Sequence, residues 1–321
     1  MTPISKWYPT KFFERDGQLR CQWSYLGDLA FTDPFFHETI VKARSININS
    51  KPYTPLSDLQ LLTEWTKEIE YLNPSAFIFH VSRCGSTLLT QLLGTDNLNI
   101  CLAEVPAFDQ ILRLPFQAKT TPHNVSDQEL LSACFKFYGQ KRSQNEQHLF
   151  IKTDSWHLMF WKQIRELYPE VPFILLYRSP DEVLRSHRKL RGMQAVPGVI
   201  EPEVFGWTYD EIKEPDLDKY LAKVLELYFE ILIEIAVNDG NRTLINYNEG
   251  AISLLEKSAL ACGLNISEEQ KTNMLQRSQF HAKFPDKMFR EEETGMEIPV
   301  YLQKAISLYR RLDGLKDERQ S

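Results

Sequence analysis

Residues 83–87, Arg83-Cys84-Gly85-Ser86-Thr87, bring together a cation, a glycine and two hydroxyls, the components of an anion site. The run Phe77-Ile78-Phe79-His80-Val81 before them is rich in β-formers, and Leu88-Leu89 after them continues with helical spacing. They therefore read as the turn of a strand-loop-helix unit. At such a helix start the backbone N–H groups and the hydroxyls of Ser86 and Thr87 converge on one spot, where the helix dipole also favours negative charge. Phosphate is the natural ligand. The triphosphate-loop signature of paired glycines followed by Lys and Ser/Thr is absent, because Gly85 stands alone and Arg83 is the cation of the turn. A second pair follows the apolar run Val171 to Tyr177: Arg178, and Ser186 eight residues further on. A planar guanidinium and a hydroxyl on one strand-helix unit suit a second phosphate. Two such sites suit a nucleotide phosphorylated at both ends of its ribose.

Three more residues could act on a bound group. Glu104 follows the short strand pattern Asn97 to Leu102, and Lys152 and Asp154 follow the buried-strand pattern His148 to Ile151. A carboxylate thus follows each strand end. Asp154, followed by Ser155, could instead cap the Trp156 helix, and Glu104 could pair with a nearby cation.

The elements that must position these residues alternate between strand and helix from Phe77 to Tyr247, which implies an α/β domain with a mainly parallel sheet. Ligands of such sheets lie beyond the carboxyl ends of the strands, where Glu104, Lys152, Asp154 and Arg178 fall. Ser126 and Glu129 form a capping box that opens a helix with Leu130, Leu131, Cys134, Phe135 and Tyr138 as its stripe. Residues 192–215 are Gly/Pro-rich without periodicity and read as a long loop or lid. A long helix from about Asp216 to Val237 and a strand at Thr243 to Tyr247 complete the sheet, and three helical segments follow Gly250. Residues 1–75 are aromatic and turn-rich. They read as short strands and a helix from Ser57 to about Tyr71, a cover docked on a main domain at 76–321.

Arg83-Cys84-Gly85-Ser86-Thr87 resembles the 5′-phosphosulfate loop of the sulfotransferases that use 3′-phosphoadenosine 5′-phosphosulfate (PAPS), and Arg178-Ser179-Pro180 with Ser186 resembles their 3′-phosphate motif. The similarity spans about Phe77 to Leu190 and is closest to the protein-tyrosine and bacterial branch. It implies a three-layer, P-loop-like α/β fold and transfer of a sulfuryl group from PAPS to a hydroxyl or amine, without a metal. By this resemblance Arg83, Cys84, Gly85, Ser86, Thr87, Arg178 and Ser186 hold the donor. Lys152 meets the sulfonate or bridging oxygen, and Glu104 or Asp154 is the base. Cys84 stands where a Ser is usual, and no Arg-Lys-Gly run closes the 3′ site; Arg277, Lys283, Lys287 or Arg290 would fill that role. The rival readings are a small-molecule kinase, with Asp154 holding a metal, and a nucleotide-binding relative without chemistry.

Composition narrows the partners. With 321 residues, 43% of them hydrophobic, and a formal charge of −6, the chain has ordinary globular make-up and no basic field. Nucleic acid is not an expected partner; the resemblance implies a small-molecule, carbohydrate or peptide acceptor. Five widely spaced cysteines without a C-x-x-C pair suggest free thiols in a reducing cytoplasm rather than disulfides or zinc. Cys84, beside Arg83 at a helix start, is expected to be the reactive one. No apolar run is long enough to span a bilayer, and the first residues lack a signal-peptide core.

Overall fold

The structure, a computed structural model, describes residues 3–117, 123–143, 145–280, 288 and 297–317. Its strands are β1 (Trp7–Arg15), β2 (Gln18–Tyr25), β3 (Leu56–Asp58), β4 (Ala76–His80), β5 (Asn99–Ala103), β6 (His148–Lys152), β7 (Phe173–Tyr177) and β8 (Arg242–Asn246). Its α-helices are α1 (Phe36–Ala43), α2 (Leu59–Trp65), α3 (Ser86–Leu93), α4 (Pro106–Arg113), α5 (Asp127–Tyr138), α6 (Trp161–Leu167), α7 (Pro180–Lys189), α8 (Leu217–Asn238), α9 (Gly250–Ala261), α10 (Glu268–Ser278) and α11 (Gln303–Asp317).

The α/β expectation is met by a five-stranded parallel sheet, ordered β5-β6-β4-β7-β8 and flanked by helices. β4 (AFIFH) and β7 (FILLY) are buried along their whole length, as strands covered on both faces must be. Ala103 lies opposite Lys152, and Tyr177 opposite Asn246. β4 is first of these strands in sequence yet central in the sheet, so the chain departs on opposite sides of it. That is the switch point whose carboxyl end binds ligands in open α/β sheets. Among the described residues no helix is long and apolar enough to cross a membrane.

By packing, the chain divides into two compact units. The first holds Met1–Phe77, Thr90–Thr153 and Lys162–Val171. In it β1 and β2 pair antiparallel through Asp16-Gly17, both at positive φ, and β3 joins β2. Two central residues at positive φ give a turn whose twist matches a hairpin. Tyr8, Phe31, Phe36, Phe108 and Tyr138 stack with centroid separations of 4.9–5.6 Å, and Tyr138 donates its hydroxyl to the Pro9 carbonyl at 2.6 Å. The aromatic segment thus shares its core with α4 and α5. The Ser126 capping box is formed, Ser126 Oγ accepting from Glu129 N–H at 3.2 Å and Glu129 Oε2 from Ser126 N–H at 3.0 Å. Ser57 is not a cap: it lies in β3 and accepts the Trp23 indole N–H at 2.8 Å. Its helix starts at Leu59 and does not reach Tyr71, because Ile69 is extended and Leu72 N–H goes to the Gly139 carbonyl.

The second unit holds Ile78–Leu89, Asp154–Trp161 and Pro172–Ser321. α8 opens on Asp216, whose Oδ1 accepts from Asp218 and Lys219 N–H, and it buries Leu221, Leu225, Tyr228, Phe229 and Leu232. Residues 192–215 contain two short 3₁₀ turns and no longer helix. They are partly folded inward: Ala195, Ile200, Val204 and Phe205 are buried, whereas Met193, Val199 and Tyr209 are exposed. α11 is tied to the sheet, since Tyr177 Oη donates to Asp313 Oδ1 at 2.6 Å and Asn246 Nδ2 donates to the same oxygen at 3.0 Å.

Candidate active site

The second unit contains the loop between β4 and α3. Ser82, Arg83 and Gly85 have φ of 70°, 52° and 81°, a conformation uncommon for residues with a Cβ. Local bonds hold it. Ser82 N–H donates to His80 Nδ1 at 3.1 Å, Ser82 Oγ lies 3.2 Å from His187 Nε2, and Arg83 Nη2 donates to the Leu190 carbonyl at 2.6 Å. The left-handed residues turn the backbone so that α3 starts abruptly at Ser86, and the N–H groups of a helix's first turn point outward along its axis. Ser86 and Thr87 are largely buried at its start. A Cβ on Gly85 would lie 2.4 Å from Tyr247 Cδ2, so the loop needs glycine for space as well as for φ. A cradle with these donors fits a phosphate or phosphosulfate.

Cys84 does not behave as expected. Its thiol is fully buried and donates to the Leu176 carbonyl at 3.4 Å, so the side chain points into the sheet. Only its main chain is left for a ligand, and its burial removes the access that reactivity requires.

Arg178 ends β7, and Ser186 is half-buried within α7. Arg178 Nη2 bonds Glu182 Oε1 at 2.9 Å, and its guanidinium lies over the Tyr247 ring, 4.5 Å from the centroid. Burial raises the Glu182 pKa, but hydrogen bonds from Arg178 and Asn248 outweigh it and hold the carboxyl below its ordinary value. Tyr247 therefore links the two candidate motifs, approaching Gly85 and Arg178 at once, and no motif points to it. Its place just after β8 is the available signal, under the same carboxyl-end rule that nominates Arg178. Of the cations considered for closing the 3′ site, Arg277 sits in the last turn of α10 and faces the Phe280 carbonyl at 3.4 Å. Lys283, Lys287 and Arg290 lie outside the described residues.

In the first unit Glu104 continues the β5–β6 pairing, its N–H donating to the Lys152 carbonyl at 2.9 Å, and adopts φ 54°. Lys152 Nζ is 2.7 Å from Glu104 Oε1 with the lysine side chain 0% exposed and the glutamate 22%. The ammonium also lies over the Phe35 ring, 5.0 Å from its centroid. A buried cation paired with a part-exposed, left-handed carboxylate is a costly arrangement of the kind found at working sites. Asp154, in the second unit, is the N-cap residue of the turn Ser155–Phe160. Its N–H donates to His157 Nδ1 at 3.2 Å, and its carboxylate lies 3.6 Å from His157 Nε2. The capping use of Asp154 is realised.

No protein-family model matches this chain, and no curated protein matches it. Among solved structures it is similar to sulfotransferase STF1 from Mycobacterium tuberculosis H37Rv, at 14% identity over 68% of this chain and 77% of that one, with a TM-score of 0.44. It is also similar to sulfotransferase STF9 from Mycobacterium avium, at 12% identity over 81% and 80% of the two chains, with a TM-score of 0.45. Likenesses this distant leave any argument about activity to the site itself.

Proposed function

We propose that the protein is a PAPS-dependent sulfotransferase. The observation that carries this reading is the β4–α3 loop, with three left-handed residues before a helix start, joined through Tyr247 to Arg178. One such loop suits any phosphate. A second arginine-bearing strand-helix unit, β7 with α7, suits a donor that carries phosphate on both sides of its ribose.

PAPS supplies the sulfuryl group and a phosphate leaving group. The loop amides, Arg83, Ser86 and Thr87 then bind the 5′ end and offset charge that grows on the leaving oxygen. Arg178 and Ser186 bind the 3′-phosphate, the guanidinium exchanging Glu182 for phosphate oxygens. Glu104 removes the proton from the acceptor hydroxyl or amine, and Lys152 orients that carboxylate and meets the sulfonate. Glu104 is favoured over Asp154 as base because it is more exposed and left-handed, whereas Asp154 is engaged as a cap. The free thiols of Cys21, Cys84, Cys101, Cys134 and Cys262 support a reducing compartment, the cytoplasm.

Thermal shift tests the donor. A ligand that binds only the folded state stabilises it by RT ln(1 + [L]/Kd), so adenosine 3′,5′-bisphosphate without metal should raise the melting temperature. A response confined to ATP with Mg²⁺ would favour a kinase and end the proposal. Glu104→Gln should lower turnover at least about tenfold with bisphosphate binding retained. Labelled donor offered with phenolic, carbohydrate, lipid and peptide acceptors identifies the acceptor class.

A further inference from the structure

His187 takes no part in the chemistry above, yet it is a fully buried imidazole at the end of α7. Gly192 N–H donates to its Nδ1 at 3.2 Å. That nitrogen therefore carries the lone pair, and in the neutral ring the proton sits on Nε2. Nε2 lies 3.2 Å from Ser82 Oγ and 3.5 Å from Gln194 Nε2; the amide nitrogen cannot accept, so the Ser82 hydroxyl is the acceptor for Nε2–H. Ser82 is the first left-handed residue of the phosphate loop. Gly192 and Gln194 form the first turn of the 192–215 segment, and the Gln194 side chain folds back over Gly192, where a Cβ would lie 2.7 Å from Gln194 Oε1. Arg83 adds a parallel tie from the same loop to the Leu190 carbonyl.

We propose that His187 is a positioning residue that clamps the phosphate loop to the root of the 192–215 segment, one ring nitrogen serving each. Nε2–H holds the Ser82 hydroxyl and with it the left-handed turn that aims the loop amides at the anion. Nδ1 holds the Gly192 N–H and so fixes where the segment leaves α7. Seating of an anion in the loop and order at residues 192–196 therefore depend on the same ring. The identity of the anion rests on the sulfotransferase reading; the clamp does not.

Two substitutions separate the nitrogens. Glutamine reaches about as far as Nε2 and retains a donor for Ser82, whereas asparagine reaches about as far as Nδ1 and retains an acceptor for Gly192. Losing one net hydrogen bond corresponds to roughly threefold to tenfold in an equilibrium. Calorimetric titration with adenosine 3′,5′-bisphosphate should therefore show H187N binding about three to ten times more weakly than wild type, and H187Q close to wild type. Amide exchange of the ligand-free proteins should show the reverse pattern at the segment, with protection at Gly192 lost in H187Q and kept in H187N. Ser82→Ala, which leaves the core histidine intact, should weaken binding as much as H187N, and the double variant S82A/H187N no further. Equal losses in H187N and H187Q by both readouts, or additive effects of S82A and H187N, would mean that the ring acts only as packing and would overturn the clamp. If the wild-type protein fails to bind the bisphosphate, the sulfotransferase reading falls; the exchange pattern at Gly192 and residues 82–85 still decides the clamp.

Discussion

Gly85→Ala tests the geometry of the phosphate loop most directly, because two independent costs meet at one atom. The first is conformational. Gly85 has φ of 81°, and a left-handed residue with a Cβ costs about 1–2 kcal/mol. The second is steric: the new Cβ would lie 2.4 Å and 2.6 Å from Tyr247 Cδ2 and Cε2, so the ring must move. A displaced ring leaves the Arg178 guanidinium now 4.5 Å from its centroid, a contact worth on the order of 0.5–2 kcal/mol. The sum is about 1.5–4 kcal/mol. A urea-denaturation cycle with Tyr247→Ala separates the parts, since removing the ring removes the steric cost and leaves the conformational one. In the Tyr247→Ala background Gly85→Ala should therefore cost only about 1–2 kcal/mol, which leaves a coupling of about 0.5–2 kcal/mol between the two sites. Bisphosphate affinity should also fall at least about tenfold for Gly85→Ala alone, as expected when a 1 Å shift misaims converging donors. A cost below about 0.5 kcal/mol, the range of a featureless surface change, or an equal cost in both backgrounds, would refute the close approach of Tyr247 to the loop.

The buried pair in the first unit gives a second cycle. Lys152→Met retains the length that fills the space by Phe35 but leaves Glu104 without its 2.7 Å partner; it should destabilise by about 3 kcal/mol, and Lys152→Met with Glu104→Gln should recover more than half of that in urea unfolding. Equal loss in the single and double variants would exclude the ion pair as the cause. Acid stability follows from Glu249: burial raises its pKa, but bonds from Lys257, Ser253, Lys316 and the Asn246 N–H bring it from 4.5 down to about 2. A depressed carboxylate contributes stability that is present above its unfolded pKa and lost as pH falls through the folded one, so the loss belongs between about pH 4.5 and pH 2. Solvent screening limits the contribution to about 1 kcal/mol, and urea midpoints of wild type and Glu249→Gln, separated at pH 6, should converge as pH falls through that window.

Patterns that depend on local chemistry are legible in the sequence. The Ser126–Glu129 capping box, the Asp216 start of α8 and the buried strands β4, β6 and β7 stand close to where spacing puts them. The elements that escape such reading depend on distant partners. α1 is eight residues long and gains its stability by placing Phe36 among Phe31 and Tyr138, which periodicity over so short a run does not show. Ser57 offers a cap in sequence, but the Trp23 indole claims its hydroxyl from another strand. Asp16-Gly17 is a local signal that short strands alone do not capture, since Asp-Gly between alternating strands is the two-residue hairpin turn. Among candidate site residues, the strand-end positions of Arg83, Glu104, Lys152 and Arg178 are legible because apolar runs mark the strands before them. Tyr247, Phe35 and His187 are not, because each acts by touching a residue far away in sequence.

Where the backbone is strained makes a final link between fold and chemistry. Among the described residues, five without glycine's freedom have positive φ: Lys6, Asp16, Ser82, Arg83 and Glu104. Asp16 lies in a hairpin turn that favours such values. Ser82, Arg83 and Glu104 instead follow the carboxyl ends of β4 and β5, where continued extension would cost nothing. Each must therefore be held there by its surroundings: Ser82 by His80 and His187, Arg83 by the Leu190 carbonyl, Glu104 by Lys152. Strain of this kind persists only where neighbouring contacts over-determine it. Those contacts come from the His80 and His187 rings, the Leu190 carbonyl and the Lys152 ammonium. A parallel sheet alone requires none of this, so within each unit the strain is set by these local contacts and not by the sheet.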